Sequence, residues 1–152
     1  MTTIYSRRHP NHTTRLGPME FVVMTLGVLN RNGRLYEHAA VSKAVATYTA
    51  KINGLDHNAK FGGFMGEVDK HSGMIDLARI THRVDGIRIQ GDEVIVKIQV
   101  LNTRHGQILQ GMLDQDDVEF RTSGHCVFEP DMMTVRNFVL LGIHALPKGT
   151  GA

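Results

Sequence analysis

With 152 residues, 41% of them hydrophobic and 21% charged, the chain has the composition of one globular domain, unlike a highly charged disordered segment or a membrane protein. Its 17 Lys and Arg against 15 Asp and Glu leave +2, yet Arg7, Arg8 and Arg15 all fall within residues 1–19, which hold no acid. The basic character belongs to the N-terminal segment, and no apolar run is long enough for a spanning helix or a secretory leader.

Residues 1–19 are polar, contain Pro10 and Pro18 and show no periodicity, so they are expected to form an extended, flexible basic arm. Glu20 to Asn30 is apolar and β-branched and runs into Asn32-Gly33, which predicts a buried strand followed by a tight turn. Val41, Val45, Tyr48 and Ile52 recur at helical spacing before Gly54, the pattern of an amphipathic helix with a glycine stop. The glycine-rich stretch from Phe61 to Asp69 suits a site-lining segment.

From Arg79 to Leu101 the β signal is clearest. Val94, Val96, Ile98 and Val100 alternate with Ile95, Lys97 and Gln99 after a Gln90-Gly91-Asp92 turn, which predicts a hairpin. Ile108, Leu109, Met112 and Leu113 are spaced as on a short helix, after which Val118, Phe120 and Thr122 alternate as a strand. Val135 to Leu146 is apolar enough for a central strand, and residues 148–152 form a short tail. These elements predict one α+β, mainly β domain over residues 20–147: six or seven strands in a small closed or strongly curved sheet, flanked by two or more helices.

Few residues point directly to chemistry. The nine histidines are dispersed, and the only close pair, His9 and His12, lies in the basic arm, so no metal is expected. Gly62, Gly63 and Gly66 are followed by no Gly-Lys-Ser/Thr, so no nucleotide and no other cofactor is expected. The single cysteine, Cys126, cannot form an intrachain disulfide and, at strand spacing beside His125, reads as a packed thiol. A hydrolytic site would need Ser123 or Thr122 as nucleophile, His71 or His82 as base and Asp69 or Asp76 as the orienting acid. Each also has an ordinary reading as a strand end, a strand position or a solvated loop.

A resemblance adds what periodicity does not. NRNGRLY (Asn30 to Tyr36), GEVDKH (Gly66 to His71), ITHRVDGIRIQGDEVIVKIQVLNT (Ile80 to Thr103), GQILQGML (Gly106 to Leu113), VEFRTSG (Val118 to Gly124) and FVLLGIHALP (Phe138 to Pro147) follow one another in an order that resembles the prohead, or capsid-maturation, proteases of tailed bacteriophages. The resemblance spans Val23 to Leu146. It implies a herpesvirus-protease-like fold, a small β-barrel surrounded by helices, with a serine nucleophile and a histidine partner.

Both family motifs are altered. Where members that cleave read Gly-Glu-Leu-Asp/Asn-His-Pro, Lys70 follows Asp69 and His71 is displaced by one position. Where they read Gly-x-Ser-Ser-Arg-Gly, registering on Gly124 puts Arg121 at the first serine, and a guanidinium cannot attack a carbonyl. A gap of one residue would instead bring Thr122 or Ser123 to that place. The resemblance and its departures lead to the expectation of a non-catalytic decoration or minor capsid protein in the phage head, made in the host cytoplasm. Its expected partners are the major capsid protein or other head proteins and further copies of itself in an oligomer or symmetric lattice. Arg7, Arg8 and Arg15 would supply the partner-binding arm. The alternative is a serine protease trimming scaffold and capsid precursors, with Ser123 attacking, His71 as base and His82 or Asp69 in support. Three arginines without interleaved aromatics make nucleic acid a weaker partner, and no membrane partner is expected.

Overall fold

A computed structural model describes residues 7–8, 18–30, 32–54 and 80–148. The described elements are β1 (Arg7–Arg8), β2 (Met19–Thr25), β3 (Leu35–Tyr36), α1 (His38–Asn53), β4 (His82–Gln90), β5 (Glu93–Val100), α2 (Arg104–Asp114), β6 (Val118–Phe128) and β7 (Thr134–Pro147). The domain is mainly β, as the sequence pattern predicts. Among the described residues, however, the strands do not close into a barrel. They form a four-stranded sheet in the order β1-β2-β5-β4 and a three-stranded sheet in the order β3-β7-β6, with β7 central.

The β4–β5 hairpin turns at Gly91, whose φ of +61° suits the first position of a two-residue turn. On β5, Val94, Val96 and Ile98 enter the core, as strict alternation requires. On β4 the register shifts between Val84 and Gly86, so Val84 and Ile87, three positions apart, share the core face. Phe21 of β2 meets Phe120 of β6 with ring centroids 4.4 Å apart, joining the two sheets. Helix α1 packs across both, against β7 and β4, through Val41, Ala44, Tyr48 and Ile52, while Val45 is only partly buried.

Helix α2 starts at Thr103, whose hydroxyl accepts from Gly106 N at 3.0 Å and donates to Ile80 O at 2.9 Å. Leu109 and Leu113 face the core and Met112 packs at its margin, but Ile108 is half exposed, contrary to the expectation from spacing. The turn after β2 also comes earlier than predicted. The strand ends at Thr25, and Gly27 adopts φ +73° before the expected turn at Gly33, whose φ is +75°. In the basic segment, the backbone of Arg7 and Arg8 pairs antiparallel with Phe21 and Val22, so part of the expected arm is an edge strand of the first sheet.

Candidate functional site

The long β6–β7 ladder determines which motif residues meet. Along β6, Val118 and Phe120 enter the core, so alternation sends Glu119, Arg121 and Ser123 to the opposite face and leaves Thr122 on the side of Phe120. Arg121 lies directly across from His144, Thr122 from Ile143, and Ser123 from Gly142. A register shift between Ser123 and Gly124 ends this regular stretch.

On that face Ser123 Oγ lies 2.9 Å from His144 Nε2 and 3.5 Å from Gly142 O. The shorter contact is the stronger one, and either atom can be its donor, because the roles follow the His144 tautomer. Ser123 is 6% exposed and His144 fully buried, and Glu119, also fully buried, shares their face. A serine hydrogen-bonded to an imidazole is the local arrangement from which a nucleophile is generated. It is also one that satisfies two buried polar groups without any chemistry.

His82, at the start of β4, is bound differently. Its Nε2 donates to Ile143 O at 2.6 Å, and its Nδ1 accepts from Thr81 Oγ1 at 2.6 Å. Its ring stands edge-on to Phe120 with centroids 5.4 Å apart. Complete burial lowers its pKa from the ordinary 6.5 to about 4, and the bond to Ile143 only partly opposes that shift. Both ring nitrogens are therefore occupied and the ring stays neutral at physiological pH. Rather than supporting Ser123, His82 ties the four-stranded sheet to the backbone of β7, one residue before His144.

The structure thus brings Ser123 together with His144, a residue that sequence reasoning did not single out. Only the strand register juxtaposes them, because they are 21 residues apart and belong to no common motif. Thr122 turns to the other face. Asp69, Lys70, His71 and Asp76 lie outside the described residues, as do Arg15 and the glycine-rich stretch. Cys126 is partly buried, with its Sγ 3.7 Å from the Tyr36 hydroxyl. That contact and burial hold the Tyr36 pKa up at about 12, with burial the larger cause. Among the described residues, no three His, Cys, Asp or Glu side chains converge as metal ligands, and no helix is long and apolar enough to cross a membrane.

Residues 13–124 match the model of a family described as prohead core protein serine protease. The chain belongs to that family. Its fold is similar to the solved structure of the bacteriophage T4 capsid assembly protease, gp21, with a TM-score of 0.65 and 20% identity over 85% of this chain and 80% of that one. At that identity the likeness concerns the fold alone. A comparison with curated proteins finds no match. Membership in the prohead protease family gives the altered motifs a frame. Ser123 occupies the arginine position of the family's Gly-x-Ser-Ser-Arg-Gly pattern when Gly124 is the anchor, and Arg121 occupies its first serine. A gap of one residue instead brings Thr122 or Ser123 to the first-serine position.

Proposed function

We propose that this chain is a non-catalytic structural protein of a tailed-phage head, a decoration or minor capsid protein built on the prohead-protease fold and retained in the virion. The observation that carries this reading is Arg121. It stands directly across the ladder from His144, on the face that bears Ser123, and with Gly124 as anchor it falls at the first serine of the family pattern. A permanently charged guanidinium cannot serve as nucleophile. Lys70 at the family's histidine position argues the same way. In this reading the Ser123–His144 bond is a satisfied polar pair that fixes the β6–β7 register. The partners are the major capsid protein or other head proteins.

The 2.9 Å contact between Ser123 and His144 favours a second reading, an active serine endopeptidase acting on scaffold and capsid precursors. Two measurements separate the readings. A fluorophosphonate probe should leave the purified chain unlabelled, and mass spectrometry should find it intact and at a constant ratio to the major capsid protein in proheads and mature heads. Labelling at Ser123, together with loss or fragmentation of the chain on maturation, would establish the protease instead.

A further inference from the structure

A groove of about 300 Å³ runs between α1 and β7. Its helix wall carries Lys43, Thr47 and Lys51, which recur every four residues and so form one ridge. Its other wall is Asn137, Phe138, Val139 and Leu140, of which Phe138 and Leu140 are buried and Val139 is half exposed. Among the described residues, neither lysine is paired with a carboxylate. The groove thus presents the exposed Val139 beside two cations.

A matching surface lies elsewhere on the same chain. Helix α2 leaves Ile108 half exposed, and it ends in the exposed turn Asp114-Gln115-Asp116-Asp117. That turn is held in place: Asp116 N donates to Leu113 O at 3.0 Å, Asp117 N to Met112 O at 3.0 Å, and Lys148 N to Asp117 O at 3.2 Å, while Asp116 Oδ2 pairs with Lys148 Nζ at 3.1 Å and Asp114 Oδ1 accepts from Gln110 Nε2 at 3.2 Å. Ile108 and Asp114 are about 9 Å apart along the helix, within the roughly 12 Å separating Lys43 from Lys51. The two surfaces cannot meet within one molecule, because the acidic turn is fixed beside Lys148, and the strand rise places Lys148 about 25 Å from Leu140.

We infer that the groove between α1 and β7 binds the exposed end of α2 of a second copy, with Ile108 against Val139 and the carboxylates of Asp114 and Asp117 against Lys43 and Lys51. The contact joins two different surfaces, so it propagates into a ring or a lattice unless a two-fold pairing closes it. Exposed ion pairs contribute little individually, so each contact is weak and salt-dependent, and repetition in an assembly makes it effective. The inference stands whether or not Ser123 is a nucleophile.

Sedimentation velocity on the full chain tests it through a charge exchange. The wild type should show a weight-average mass that rises with concentration above the 16.9 kDa monomer at low salt and falls back at high salt. K43E/K51E alone and D114K/D117K alone should each stay monomeric, since each then opposes like charges. Their equimolar mixture should assemble again, because both contacts in the mixture are complementary. Circular dichroism checks that each variant is folded, and lysine at the C-terminal end of α2 suits the helix dipole. A wild type that is monomeric throughout, single variants that still assemble, or a mixture that stays monomeric would each overturn the inference.

Discussion

His82 makes the sharpest quantitative test of the structure, because among the described residues it is the one fully buried histidine whose bonding partners on both ring nitrogens are identified. The folded chain holds its pKa near 4, whereas the unfolded chain titrates at the ordinary 6.5. Between those values, a falling pH protonates the unfolded chain but not the folded one. The His82 contribution is therefore complete above pH 6.5 and is lost as pH falls toward 4. At about 1.4 kcal/mol per pH unit, the loss across that window is roughly 3 kcal/mol. The chain has no tryptophan, so urea unfolding followed by far-ultraviolet circular dichroism at pH 7, 6, 5 and 4 is the suitable assay. Other groups titrate over the same range, and the informative quantity is wild type minus His82→Gln. Glutamine keeps a donor for Ile143 O but does not titrate. The wild type should lose about 3 kcal/mol more than the variant between pH 7 and 4. Parallel pH profiles would show that His82 is not a neutral clamp between the sheets.

Other substitutions probe the remaining elements. Ser123→Ala leaves the buried Nε2 of His144 without the hydroxyl 2.9 Å away, so the urea midpoint should fall by the equivalent of about 1–3 kcal/mol. Gly106→Ala sets a Cβ 1.9 Å from Leu101 O and 3.0 Å from the capping hydroxyl of Thr103, forcing backbone to move at the start of α2. A loss of about 2–4 kcal/mol in the same assay is expected, and a neutral effect would refute the close approach. Phe120→Ala removes the ring that touches both Phe21 and His82 and should cost about 3–5 kcal/mol.

Much of the fold was legible in residue spacing. The β4–β5 hairpin followed from period-two alternation around Gly91, and α1 from the spacing of Val41, Tyr48 and Ile52. Both depend on residues close together in the chain. Ile108 shows the limit of such reasoning: its spacing fits the apolar stripe of α2, but the helix rests on the sheets over a narrower arc and leaves it outside. The strand formed by Arg7 and Arg8 carries no pattern at all, because two residues become a strand only through their partners on β2.

The candidate site was legible in part. Ser123 was among the nucleophile candidates, and alternation along β6 separates it from Thr122. His144 was not foreseen, and His82 exchanged a proposed supporting role in catalysis for one in joining the sheets. The sequence by itself determined the local elements, the family and the altered serine and histidine motifs, because covalent spacing sets periodicity and motif order. Tertiary structure alone decided that Ser123 meets His144 across 21 residues and that His82 binds Ile143 O across 61. The physical reason is that strand register is chosen collectively, by burial of whole faces and by bulges that shift their phase, and no single segment encodes that choice.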